Sequence, residues 1–112
     1  MAWLLRDGDV LASLEVAESR GDRRRGLLGR DAFDGALLIR PARAVHTIGM
    51  RFPIDVAWCD RDLVVLRVAR LRRHRMSRPV LRASAVLEAE AGSFERWGLS
   101  AGDQLELRAD DA

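Results

Sequence analysis

Lysine is missing from this chain of 112 residues, so all 19 of its basic residues are arginine. An all-arginine set is what a GC-rich genome produces. It also keeps the isoelectric point high, near 9.8, because guanidinium stays charged where ammonium does not. The net charge is only +2, which gives little support for a polyanionic partner. Cysteine is nearly missing as well. Cys59 stands alone, which excludes an intrachain disulfide and agrees with a reducing compartment. No run approaches the roughly 18 apolar residues of a spanning helix. The apolar stretch before Arg6 is too short for a signal-peptide core. A cytoplasmic protein without a membrane span is expected. There is no low-hydrophobicity tract, no internal repeat, no linker and no phosphate-cradling glycine loop, and no cofactor is expected.

What is present suits one domain over residues 1–112, long enough to bury a core without disulfides or metal. Trp3-Leu4-Leu5 and Val10 to Ala17 flank Asp7-Gly8, a hairpin signal, and the second run alternates with period 2. Ser19 can cap a helix over about 20–28, with Asp22 near its positive end, arginines in its last turn and Gly29 as its stop. Ala36 to Ile39 reads as a short strand. Ile54 to Cys59 and Leu63 to Leu71 form the clearest hairpin, around Asp60-Arg61-Asp62. Ala85 to Ala91 and Gln104 to Arg108 are further strands, Ser93 to Gly98 a single helical turn, and residues 110–112 should fray. The fold class is therefore mainly β: an antiparallel sandwich or partly open barrel of about seven short strands with one or two small helices.

The stretch AVHTIGMRFPIDVAW, residues 44–58, sets His46, Arg51 and Asp55 into an apolar run around Gly49 and Pro53. If residues 44–52 are extended, His46 shares a face with Ile48, Met50 and Phe52, and the chain bends near Gly49 before Pro53. Two readings follow. In one, His46 is a core histidine and an Arg51–Asp55 ion pair locks the bend. In the other, His46, Thr47, Met50 and Arg51 line a cleft, where the imidazole moves protons and the guanidinium grips an anion.

Other chemistries find less. The two histidines, His46 and His74, with Asp55 do not make up a zinc set, so no metal site is assigned. Cys59 beside Trp58 reads as a small hydrophobe rather than a nucleophile. The run RLRRHRMSRPVLR, residues 70–82, carries six arginines, but no aromatic residue interleaves and no recognition helix is apparent. A solvated loop suits it better than a nucleic-acid surface.

RGLLGR at 25–30, VHTIGMRFPIDVAW at 45–58, VLEAEAG at 86–92 and GLSAGDQLEL at 98–107 occur in an order that resembles the domain of unknown function 192 family. The likeness runs over about residues 10–108. It implies a sandwich-like β fold with a small helix near the N-terminus, and no particular reaction. Many similar proteins are exported, and some are encoded near pilus-type secretion genes, which implies a protein partner of that kind by association only. The commoner family pattern has Trp-Met-Lys-Asn-Thr before Pro-Leu-Asp. Here His-Thr-x-Gly-Met-Arg stands in that place, so only Pro53 and Asp55 match. Gly49, Pro53, Asp55, Gly102 and Asp103 are read as a structural motif. The function expected is a non-enzymatic binding or accessory module with a cleft near His46 and Arg51 for a small polar or anionic ligand or a partner protein. The alternatives are a small hydrolase or isomerase-like enzyme, with His46 as acid–base and Arg51 as clamp, and nucleic-acid binding through residues 70–82.

Overall fold

The computed structural model describes residues 1–110. Its elements run β1 (Ala2–Arg6), β2 (Asp9–Ala17), α1 (Arg20–Arg25), β3 (Ala36–Ile39), β4 (Ile54–Cys59), β5 (Val65–Leu71), β6 (Ala85–Glu90), α2 (Ser93–Trp97) and β7 (Leu105–Ala109). The chain is mainly β, as its alternating runs indicate. Among the described residues no helix is long and apolar enough to cross a membrane.

Local turn chemistry makes both hairpins. Asp7 and Gly8 adopt positive φ, 54° and 82°, the backbone twist that a two-residue connection between antiparallel strands requires. Between β4 and β5, the Asp60 carboxylate accepts from the amides of Asp62 and Val64 at 2.9 and 3.0 Å, a side-chain mimic of a backbone turn. Ser19 caps α1 by accepting from the Asp22 amide at 3.1 Å. The helix is shorter than its composition suggests. It stops at Arg25 because Gly26, at φ 50°, turns the chain away.

The strands form one sheet in the order β5-β4-β6-β3-β2-β1-β7. Every neighbouring pair is antiparallel except β2 and β3, which run parallel. That one parallel pair is possible because residues 18–35, which include α1, are long enough to carry the chain back as a crossover. Gly35 admits the crossover. At φ 120°, a Cβ there would stand 2.9 Å from the Ser13 carbonyl oxygen of β2, so only glycine allows β3 to enter this close.

The sheet curls until its edges meet at one corner. Val64 bridges Gln104, and Val65 donates to the Asp103 carbonyl at 2.9 Å while Leu105 donates to that of Leu63 at 3.0 Å. The result is an open barrel with two apolar layers. Inside lie Leu4, Leu14, Leu38, Ala57, Leu87 and Leu105, plugged at one end by Phe94 and Leu99. Outside, Leu37, Ile39, Ile54, Val56, Trp58 and Val86 are covered by Leu27, Phe33, Val45, Met50 and Phe52 from the long connections. Strands β3, β4 and β6 are therefore buried on both faces.

Asp55, on β4 and 3% exposed, faces the inner layer. Gly92 begins α2 without a side-chain cap of its own. Asp55 supplies it from β4, accepting from the amides of Gly92 and Phe94 at 2.9 and 3.1 Å and from Arg70 Nε at 3.0 Å. Asp103 performs a related task, accepting from the Ser100 amide and from Arg6 Nη1, each at 3.0 Å, beside Gly102 at φ 94°. Of the terminal residues expected to fray, Asp110 is held by the Trp3 indole N–H at 3.0 Å and by the Met1 carbonyl. Residues 111 and 112 lie outside the described residues.

Candidate functional site

Two long connections, residues 40–53 and 72–84, lie side by side over the outer layer. His46 bridges Met76. Thr47 is the staple between them. It is fully buried, its hydroxyl donates to the Arg72 carbonyl at 2.6 Å and accepts from the Arg75 amide at 2.8 Å, and its amide donates to the Arg75 carbonyl at 2.7 Å. The Gly49 amide donates to His74 Nδ1 at 3.3 Å, and Arg73 Nε to the Met50 carbonyl at 2.8 Å. The basic segment 72–82 is therefore knitted to residues 45–50, although its arginines are exposed.

This pairing reverses the faces expected for residues 45–48, while Met50 and Phe52 stay buried as expected. Val45, Thr47 and Met50 turn inward, while His46 and Ile48 are exposed. The strand-like alternation breaks at a turn, where the Met50 amide donates to the Thr47 carbonyl at 3.0 Å and Gly49 takes φ 82°. The core-histidine reading of His46 is thus corrected. The Arg51–Asp55 pair is corrected too. Arg51 donates to Asp31 at 2.6 Å, and Asp55 lies on the opposite face of the sheet with Arg70. Pro53 precedes β4, and its carbonyl accepts from Ala91.

Between α1 and residues 41–50 opens a cavity of about 370 Å³. Its mouth is rimmed by Arg20, Arg23, Arg24, Arg25 and His46, and its walls are Leu27, Leu28, Ile39, Val45 and Met50. Of the four residues expected to line a cleft, His46 and Met50 do so. Thr47 and Arg51 do not, the first because its hydroxyl holds the two connections together, the second because it is paired outside with Asp31.

Glu88, missed in the sequence, also lines the cavity. It sits on β6 between Leu37 and Val56 of the neighbouring strands, among apolar side chains of the outer layer, and is 4% exposed. Burial without a counter-charge pushes its carboxyl up to about 7, since desolvation penalises the ionised form. Among the described residues nothing hydrogen-bonds or ion-pairs with it. A Cβ at Gly26 would reach Glu88 Oε1 at 3.4 Å, so the glycine leaves the carboxyl uncovered. Arg23 donates through Nη1 to the Pro41 carbonyl at 3.1 Å, while its Nε is buried without a partner. The cavity thus holds a buried carboxyl group that has no protein partner among the described residues.

Other reactive groups lie elsewhere. Cys59 is buried in the inner layer and its thiol is pushed up to about 12, first by burial and then by Asp60. Neither it nor Asp55 shares a face with His46. Among the described residues no group of three or more His, Cys, Asp or Glu gathers as metal ligands.

The family model of DUF192, described as an uncharacterized ACR, matches residues 3–107. The chain belongs to this family. No curated protein matches it. Two solved structures share the DUF192 chain's fold. One, a "putative transcription regulator" from Sinorhizobium meliloti 1021, is 24% identical, with a TM-score of 0.78 over 94% of this chain and 90% of the other. The second, a protein of unknown function from Novosphingobium aromaticivorans DSM 12444, is 18% identical, with a TM-score of 0.77 over 94% of this chain and 82% of the other. Three of the four stretches that carry the DUF192 resemblance meet at the cavity. Residues 25–30 bring Gly26, Leu27 and Leu28, residues 45–58 bring Val45, His46 and Met50, and residues 86–92 bring Glu88.

Proposed function

We propose that this chain is a non-enzymatic binding module that takes a small polar or anionic ligand in the cavity between α1 and residues 41–50. The observation that carries this reading is the set of four arginine side chains that α1 brings to one side of a concave, apolar-walled opening. Arginine grips carboxylate and phosphate groups through paired N–H donors. A cavity of this size, apolar in its walls with a few polar groups, has the usual build of a small-molecule site. His46 at the rim adds a further donor. The accessory role toward a protein partner has no surface of its own to support it. The basic segment 72–82 ties its backbone to residues 45–50, so a structural role accounts for its position.

The enzyme reading has one observation in its favour: a carboxyl held near neutrality in the same cavity as a histidine, a pairing suited to proton transfer. Among the described residues no hydroxyl or thiol nucleophile lines that cavity, and binding remains the reading that needs least beyond the residues present. Thermal unfolding with inorganic phosphate, sulfate and acetate tests it. Millimolar phosphate is expected to raise the wild-type midpoint by a few degrees through mass action. Arg24→Glu, an exposed position, should fold normally and lose that rise. Equal rises in both proteins would count against the cavity as the binding place.

A further inference from the structure

The cavity carries more than an anion site, because its polar groups are of two signs at different depths. Arginines stand at the mouth, and Glu88 lies in the wall among apolar side chains. Building on the reading that anions bind at this mouth, we propose that the ligand is amphoteric: a small molecule with a phosphate or carboxylate held by the arginines and an ammonium group received by Glu88.

Each simpler alternative matches only part of the cavity. A bare anion drawn in by the arginines meets a second anion in Glu88. A bare amine must pass four guanidinium groups. Glu88 is buried and aimed into the opening past Gly26, with no partner from the protein, although buried carboxyl groups ordinarily have one. A ligand with an anionic group at one end and an ammonium at the other meets the arginines and Glu88 at once. The Glu88 carboxyl, near 7 for want of a counter-charge, is the group that an ammonium would return to its ordinary ionised state. The apolar walls of Leu27, Ile39, Val45 and Met50 suit a short methylene spacer between the two ends.

Calorimetric titration with matched pairs tests this directly: phosphoethanolamine against ethyl phosphate, and 3-aminopropyl phosphate against propyl phosphate, at about pH 8 so that Glu88 is ionised and the amine still charged. In the wild type at least one amine-bearing member should bind about tenfold tighter than its amine-free partner, the scale of one charge-assisted hydrogen bond. In Glu88→Gln the gap should close. Amine-free phosphates that bind with no gap, or a gap that survives in Glu88→Gln, would overturn the amphoteric ligand and leave the anion site standing. No binding by any of the four would overturn both. The wild-type comparison stands alone should the variant fail to fold.

Discussion

A carboxyl group between Leu37 and Val56 on a covered sheet face makes the protein's stability depend on pH in a direction opposite to most carboxylates. The proton on Glu88 leaves near pH 7 in the folded chain but near its ordinary 4.5 once unfolded. Between those values the folded state binds more protons than the unfolded one. The contribution is therefore fully present below about 4.5 and is lost as the pH rises through about 7, a change of roughly 3 kcal/mol. Glu15 behaves in the usual way, because the paired hydrogen bonds from Arg30 hold its carboxyl below the ordinary range. Urea unfolding at intervals from pH 5 to 8 separates the two, since Glu88→Gln should lack the decline and overtake the wild type toward pH 8. Parallel profiles for the two proteins would remove the account of Glu88. Glu88 was not legible in the sequence. In VLEAEAG it alternates with apolar residues as a solvent-facing position would. Only the crossing of α1 and residues 41–50 over that face buries it. The nearest signal was positional: the stretch is part of the resemblance, yet no role had been given to its acids.

Elements whose reasons are local were the legible ones. Asp7-Gly8 and Asp60 make hairpins with residues inside the turns themselves, and Ser19 caps α1 across a single helical turn. Residues 44–52 defeated the same reasoning because their partner is residues 72–77, paired through the Thr47 staple rather than through a long ladder. One bridge and a turn at Gly49 do not sustain an alternation, so the faces exchange over residues 45–48 and not beyond the turn. Helix α2 shows the same dependence on distant residues. Too short to persist alone and lacking its own cap, it is held by Asp55 from β4. Asp55→Ala strands two amides at its start and should lower stability by roughly 2–4 kcal/mol, read as a lower midpoint in denaturant. An unchanged midpoint would show that the carboxylate does not hold the helix. The structural role expected of Asp55 thus gains a defined object, and its role as a partner for Arg51 loses its geometry.

At the scale of the whole molecule, an open barrel with an inner and an outer layer leaves its three central strands no solvent face, so the outer layer needs covering. The same long connections that cover it leave the cavity between α1 and residues 41–50, and cover and site are one piece of structure. That explains why the site was half legible: His46 and Met50 belong to the cover and are conspicuous in sequence, whereas Glu88 and Arg23 become neighbours only through the β2–α1–β3 crossover. The competing location for an anion is the exposed arginine surface of residues 72–82, and a titration of inorganic phosphate followed by amide chemical shifts distinguishes the two. The account predicts saturable shifts concentrated at Arg23–Leu28, Ala42–His46 and Glu88. Shifts concentrated instead at Arg72–Arg82, or none that saturate, would contradict it.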